Sequence, residues 1–296
     1  MGTLITDGQK KQYFRFVEDA AEKALKETDL DKDAIQKLIE NGDKFQSRIV
    51  TAIQELSVSN KFADEEVESS YGYPSGYNKP KGITEQTNRL RELFPNIGFA
   101  DEKLAEGTLP PNAEGWFAIP RWEKIASTYG EAVQKVLDLI KQNRNIEFFN
   151  YRKGLLGLQL LRQSQKSAKA FQKLGDEQKD YDILVVPAQF GLHHRDRSVY
   201  QAREVMNASE FGLGAFSIGI MILTHPERLM NHNDLWIDCA GDEFTGCGYY
   251  QFDRVPIFLF GDGKIKFFAR RLGGAFDHYG SASAFLLQWS RLFFIR

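Results

Sequence analysis

The chain has 296 residues, with 38 Lys and Arg against 40 Asp and Glu, which gives a formal net charge of −2. That balance excludes recruitment of a polyanion or an acidic membrane by the overall charge, so a nucleic-acid-binding surface would have to be local. The apolar fraction of 42% excludes a disordered chain, and the length fits one main domain with a helical appendage.

The cysteine content and the length of the apolar runs indicate the cellular compartment of the protein. The two cysteines, Cys239 and Cys247, are too few for a disulfide framework and favour a reducing compartment. The first residues lack the charged-then-apolar pattern of a signal peptide. The longest apolar run, residues 211–223, is shorter than the roughly 20 residues that a bilayer-spanning helix needs. We therefore expect a cytoplasmic protein with no membrane span.

The N-terminal part carries apolar residues at helical spacing on a charged background. This pattern predicts a helix over 9–28 and, over 35–56, either one kinked helix or a helical hairpin, because Asn41-Gly42 interrupts it. These helices either pack on their own domain or form a homodimer seam through 35–56. The boundaries we expect are a helical segment over 1–60, a Gly-, Pro- and Tyr-rich loop or boundary over 61–82, and a main α+β domain over 83–296.

The stretch from 83 to 175 also has mainly helical patterns. The predicted elements are a helix capped by Thr84 and ended by Pro95, an irregular stretch to Pro120, a long helix hinged near Gly130, a short strand over 146–151 and a helix over 155–174 that Gly175 ends.

Strand signals dominate the remainder. The predicted elements are a buried strand at 183–186, a helix across the apolar run 211–223 with a strand as the alternative, a strand at 235–239, and a hairpin over 256–270 turning at Asp262. The fold class that follows is α+β, with a mainly helical N-terminal part and a mixed sheet with an antiparallel hairpin in the C-terminal part.

The first candidate site is the basic loop, defined as residues 193–198 with the sequence HHRDRS. It follows the predicted strand at 183–186 and precedes a helix that Ser198 can cap. Arg195, Arg197 and Ser198 would then form a binding site for a phosphate or carboxylate at the start of that helix. The alternative is a solvated surface loop whose arginines pair with Asp196.

The second candidate site is acidic: Asp238, Asp242 and Glu243 follow a predicted strand. Three carboxylates at a strand end can hold Mg²⁺ or Mn²⁺, with His193 or His194 as a further ligand. A zinc site using Cys239, Cys247 and a histidine has a spacing that matches no common zinc module. A solvated acidic turn is the alternative to both.

Four segments, VVPAQFG, HHRDRS, EFGLGAF and LWIDCAGDEF, resemble segments of hypothetical bacterial proteins to which no activity is assigned. The resemblance extends over most of the chain and implies a bacterial cytoplasmic origin. It implies no fold and no function.

Three functions fit these patterns. The first is a cytoplasmic binding protein that holds a phosphate-bearing or other anionic ligand, a nucleotide or nucleic acid, at the basic loop. The second is a metal-dependent phosphoester hydrolase in which Asp238, Asp242 and Glu243 hold the cation and His193 or His194 is the acid or base. The third is an interaction protein that acts through its N-terminal helices. Patterns alone leave open whether the protein is an enzyme.

Overall fold

The computed structural model describes residues 6–27, 31–57, 62, 64–143, 147–246 and 251–287. The fold is α+β, with helices mainly in the N-terminal part and sheets in the C-terminal part, as the sequence predicts. The helices of the described residues are α1 (Asp7–Glu27), α2 (Lys32–Glu40), α3 (Gly42–Ser57), α4 (Ile83–Leu93), α5 (Tyr129–Asn143), α6 (Gln165–Glu177), α7 (Val199–Val205) and α8 (Ala215–Thr224).

The strands are short except for one hairpin. They are β1 (Gly115–Pro120), β2 (Glu147–Asn150), β3 (Leu161–Gln163), β4 (Ile183–Gln189), β5 (Glu210–Gly212), β6 (Trp236–Asp238), β7 (Asp242–Phe244), β8 (Arg254–Gly261), β9 (Lys264–Arg271), β10 (Tyr279–Ser281) and β11 (Ser283–Phe285). The chain divides into two compact units, Met1–Ile53 and Gln54–Arg296.

The first unit is helical. Asp31 caps α2 by accepting a hydrogen bond from the Ala34 backbone N–H at 2.7 Å, and Asn41 ends that helix, so two helices replace the single kinked one. Neither α1 nor α2 buries a residue, and Phe16 and Ile39 are 63% and 66% exposed. The homodimer through 35–56 stays a prediction.

The second unit contains a four-stranded antiparallel sheet in the order β1-β4-β11-β5. All seven residues of β4 are buried, which confirms the buried strand predicted from the apolar run at 183–186. The expected irregular stretch before Pro120 is wrong, because Gly115–Pro120 pairs with β4 along its whole length. Prolines on both sides of this short apolar run hid the strand.

The second sheet has seven strands in the order β10-β6-β8-β7-β3, with β9 joining β8 to β2. The hairpin predicted over 256–270 is confirmed: β8 and β9 pair antiparallel and turn at Asp262-Gly263, which have φ angles of 53° and 73°. Residues 288–296, part of the C-terminal segment, lie outside the described residues.

Helix α8 forms the centre of the core. All of its ten residues are buried, and one apolar cluster takes side chains from it, from α5 and from both sheets. A Cβ on Gly219 would lie 2.4 Å from Val136 Cγ1, so this glycine lets α8 approach α5 closely. The predicted helix over 211–223 is confirmed from residue 215, whereas 210–212 form β5 instead.

Other boundaries differ from the predictions. Thr84 lies inside α4, whose N-cap is Gly82, and its hydroxyl donates to Glu102. The predicted helix over 155–174 begins only at Gln165 and runs through Gly175, where a Cβ would lie 2.6 Å from Arg121 Nη1. That glycine therefore lies inside the helix, against the Arg121 side chain, rather than at the helix end. No helix among the described residues is long and apolar enough to cross a membrane.

Candidate functional site

The basic loop begins with a sharp change of direction after β4. Gly191 has a φ of 131°, and a Cβ there would lie 2.7 Å from the Gly280 carbonyl oxygen, so glycine alone fits this crossing. Residues Leu192–His194 then form one 3-10 turn. This turn directs the two histidine rings toward the neighbouring strand, with their centroids 4.3 Å apart.

His194 is held by a buried hydrogen-bond network. Its Nε2 lies 2.7 Å from Oε1 of Glu210 on β5, and both side chains are almost fully buried. Ser283 Oγ on β11 donates to the same Glu210 oxygen at 2.5 Å. Gln189 Nε2, at the end of β4, donates to Ser283 Oγ at 2.8 Å. Three adjacent strands therefore fix the carboxylate of Glu210 against the ring of His194.

Together, His193, His194 and Glu210 form a group of potential metal ligands. The ligand atoms of the three side chains all lie within 4.8 Å of one another. Among the described residues, it is the one group of three or more His, Cys, Asp or Glu side chains whose ligand atoms converge in this way. We call it the His-His-Glu cluster.

The charges of the cluster suit a cation. Burial, followed by the electrostatic effect of the neighbouring His194, lowers the pKa of His193 to about 4, so the His193 ring is neutral near pH 7. Burial alone would raise the pKa of Glu210, but attraction to His194 and the hydrogen bonds from His194 and Ser283 hold it below its ordinary value. A neutral imidazole and an ionised carboxylate are the forms that bind metals.

The guanidinium of Arg197 borders the cluster. Its Nη1 lies 3.5 Å from His194 Nδ1, its Nε lies 3.5 Å from Glu66 Oε1, and the side chain is 20% exposed. The Arg195 guanidinium donates to the Tyr71 carbonyl oxygen at 3.0 Å. Ser198 caps α7 as predicted, because its side chain accepts from the Gln201 backbone N–H. Ser198 is fully buried at the start of the seven-residue helix α7, and the anion site at Arg195, Arg197 and Ser198 stays a prediction.

Residues 64–73, which we call the acidic strap, cover the basic loop. The Val67 N–H donates to the Asp196 carbonyl oxygen, and the Ser198 N–H donates to the Glu65 carbonyl oxygen. The hydroxyl of Tyr73 accepts from the Leu192 N–H at 3.1 Å. The solvated loop considered above is therefore replaced by a loop tied to a second segment of the chain.

The three acidic candidates each have a separate protein partner. Asp238 makes two hydrogen bonds, of 2.7 and 2.6 Å, with Arg270. Asp242 accepts from the Ala215 N–H at the start of α8 and from Tyr129, both at 2.7 Å. Glu243 pairs with Arg162 at 2.7 Å. The three carboxylates therefore have different partners, and none of them belongs to the His-His-Glu cluster.

Asp242 has a strongly perturbed acidity. Burial raises its pKa to about 7, although the Ala215 N–H and the Tyr129 hydroxyl favour the ionised form. Cys239 is a buried free thiol whose pKa burial also raises, and Cys247 lies outside the described residues. The zinc site based on both cysteines stays a prediction.

Sequence reasoning missed the partner of His194. Glu210 is a carboxylate that would be costly to bury alone, and Arg203 and Arg228 are the partners that its sequence neighbourhood suggests. The structure pairs it with His194 and Ser283 instead. Arg203 donates to the carbonyl oxygens of Ala240 and Asp242, and Arg228 to that of Leu235.

The chain matches no protein-family model, no curated protein and no solved structure. The class that the fold and the site define is an α+β protein with a partly buried cluster of two histidines and a glutamate. Its function has to be argued from that geometry.

Proposed function

We propose that the protein binds a divalent transition-metal ion through His193, His194 and Glu210. The observation that supports this is the convergence of three ligand atoms within 4.8 Å, on a turn and a strand that neighbouring strands hold in place. Two imidazole nitrogens and one carboxylate oxygen suit Zn²⁺ or Mn²⁺ better than Mg²⁺, which prefers all-oxygen ligands. The proposal therefore moves the expected metal site from Asp238, Asp242 and Glu243 to a different set of residues.

Residues around the cluster support the ligands. Ser283 and Gln189 form a chain of hydrogen bonds that orients the carboxylate of Glu210, which is the role of the outer partners of metal ligands. His193 is partly buried, whereas His194 and Glu210 are buried. Three protein ligands leave a coordination position for water or a ligand, as catalytic metal sites require.

The charge of such a site favours an anionic ligand. A divalent ion and the Glu210 carboxylate together carry a net charge of about +1, and the Arg197 guanidinium beside them is paired with the Glu66 carboxylate. Arg197 Nη1 lies 3.5 Å from His194 Nδ1, so the guanidinium would be within reach of a phosphate held at the cluster.

The reaction class that we infer is hydrolysis of a phosphoester in the cytoplasm. When bound, the ion would supply Lewis-acid activation of water and of the phosphoryl group. Arg197 would hold the substrate anion, and Ser283 would keep Glu210 oriented. Binding of a phosphate-bearing ligand without turnover is the second candidate, and the same position of Arg197 supports it. The reducing cytoplasm agrees with the free thiol of Cys239.

Titration calorimetry with Zn²⁺, Mn²⁺ and Mg²⁺ tests the metal site. We expect one Zn²⁺ ion per chain, weak Mg²⁺ binding, and loss of Zn²⁺ binding in His193→Ala and Glu210→Gln. Ser283→Ala should weaken binding by about 10- to 100-fold, because it removes a partner of a ligand. The exposed His232 provides the matched control, and His232→Ala should bind as the wild type does. Wild-type affinity in Glu210→Gln would contradict the proposal.

Turnover of bis(4-nitrophenyl) phosphate separates the two candidate functions. Hydrolysis should require the metal and fall in Arg197→Ala more than in Arg195→Ala, because Arg195 is bound to the Tyr71 carbonyl oxygen. Metal binding without turnover, with phosphate binding still sensitive to Arg197→Ala, would favour the binding protein over the enzyme.

A further inference from the structure

One face of the second sheet carries exposed aromatic rings on two neighbouring strands. Strands β2 and β9 run parallel, with Glu147 opposite Lys264 and Phe149 opposite Lys266. Side chains alternate between the faces of a sheet, so Phe149 and Tyr151 lie on the same face as Lys264, Lys266 and Phe268. The opposite face, with Phe148, Ile265 and Phe267, joins the core.

The three aromatic side chains form a continuous platform. Phe149, Tyr151 and Phe268 are 48%, 47% and 38% exposed. The Phe149 and Tyr151 ring centroids are 4.4 Å apart, and those of Tyr151 and Phe268 are 5.5 Å apart. The guanidinium carbon of Arg152 lies 4.4 Å from the Phe268 ring centroid. A contiguous exposed patch of large rings is uncommon on a protein surface unless it binds something.

Cations surround this aromatic platform. Lys264 pairs with Glu147 at 3.4 Å, and Lys266 pairs with Asp262 in the turn of the hairpin. The side chains of both carboxylates are about 80% exposed, whereas those of Lys264 and Lys266 are 30% and 17% exposed. A polyanion would compete with the two exposed carboxylates for the lysines. With Arg152, three cations lie beside three rings.

We propose that this platform binds single-stranded nucleic acid. The rings are inclined to one another, by 57° between Phe149 and Tyr151 and by 88° between Tyr151 and Phe268, so bases would stack on whichever ring faces are exposed. The lysines and Arg152 would contact the phosphates, since aromatic faces combined with cations form the usual single-strand surface. Phe149 and Tyr151 are two residues apart at the end of β2, and their ring centroids lie 4.4 Å apart at an angle of 57°, so the two rings form one joint surface for a base. Aromatic faces accept any base, so we expect little sequence preference. The strands that form this surface, β2 and β9, carry none of the residues of the His-His-Glu cluster. Binding of nucleic acid here would therefore not depend on the metal.

Fluorescence anisotropy of a labelled 12-nucleotide oligo(dT) at low salt tests the proposal on the full chain. We expect micromolar binding that weakens as salt rises, because phosphate contacts release counterions. Phe149→Ala and Tyr151→Ala should each weaken binding by about tenfold, as loss of one stacking ring does. Lys266→Ala should weaken binding and reduce its salt dependence. Phe149→Trp should retain binding and show quenching of the new tryptophan by the oligonucleotide.

A matched control is available elsewhere on the chain. Phe99 is 68% exposed, and the Arg91 guanidinium carbon lies 5.2 Å from its ring centroid, so it resembles Phe268 with Arg152. Phe99→Ala should bind oligo(dT) as the wild type does. Absence of binding at low salt, or equal losses in Phe99→Ala and Phe149→Ala, would overturn the proposal. So would a dimer in sedimentation analysis that Phe149→Ala dissociates, because the platform would then be covered by a second copy.

Discussion

Replacing Asp242 by asparagine should stabilise the protein at neutral and alkaline pH, although the carboxylate caps the central helix α8. The side chain is fully buried, and it accepts hydrogen bonds from the Ala215 N–H and the Tyr129 hydroxyl, both at 2.7 Å. Asparagine has the same shape and retains an oxygen that can accept from the Ala215 N–H. It lacks the charge that burial disfavours.

The size of the effect follows from the raised pKa. The pKa of Asp242 is about 7 in the fold against an ordinary value of 3.8. Between these values the unfolded chain has lost the proton and the native state retains it, so the native state binds more protons and stability falls as pH rises. Three pH units correspond to about 4 kcal/mol, reached near pH 7 and constant above it. The asparagine side chain does not titrate and avoids this loss.

Urea unfolding at pH 5, 6.5 and 8 measures the effect. Relative to the wild type, Asp242→Asn should gain about 3 kcal/mol between pH 5 and pH 8, which is the part of the change that falls in this range. Asp238→Asn is the matched control with the opposite sign, since it leaves the buried Arg270 without its carboxylate and should cost about 3–5 kcal/mol. An Asp242→Asn variant that is less stable at pH 8, or a pH-independent difference, would refute the reasoning. Stabilisation of the wild type by Mn²⁺ that this variant loses would return Asp242 to the metal site.

Two further predictions concern the acidic strap and the first unit. Glu66→Gln should strengthen phosphate binding several-fold in calorimetry, because it removes the carboxylate 3.5 Å from Arg197 Nε, and Glu68→Gln should not. An unchanged affinity in Glu66→Gln would mean that the strap does not compete for Arg197. If 35–56 forms a dimer seam, light scattering should give twice the chain mass of 33.8 kDa, and Ile39→Glu with Phe45→Glu should give the monomer. A monomeric wild type at high concentration would contradict the seam.

Sequence patterns predicted much of the fold where an element depends mainly on residues that are close in the sequence. The continuous apolar run at 183–186 predicted a buried strand, and Asp262-Gly263 predicted a hairpin turn, since both depend on neighbours in sequence. Ser198 was predicted as a cap for the same reason. The strand β1 was missed because its identity depends on pairing with β4, more than 60 residues away in the chain.

The candidate site was predictable only in part. Its location near His193 and His194 follows from the position of the basic loop after a buried strand. Its third member does not, because Glu210 meets His194 only when β5 pairs with β11 and places Ser283 beside it. The carboxylates of Asp238 and Asp242 are close in sequence, but Arg270 binds one and the start of α8 binds the other. The closeness of Asp238 and Asp242 in the sequence therefore suggested one cluster, whereas in the fold the two carboxylates bind different partners.

X-ray absorption at the zinc edge of the Zn²⁺-loaded protein tests the metal site most directly. The proposed site predicts a coordination shell of nitrogen and oxygen ligands alone, at about 2.0–2.1 Å from the ion. It also predicts outer-shell scattering from two imidazole rings. Glu210→Gln should lose the ion, and His193→Ala should lose one imidazole contribution or the ion itself. A shell containing sulfur at about 2.3 Å would place the ion on Cys239 or Cys247 and contradict the account. A shell with oxygen ligands only would return it to the carboxylates.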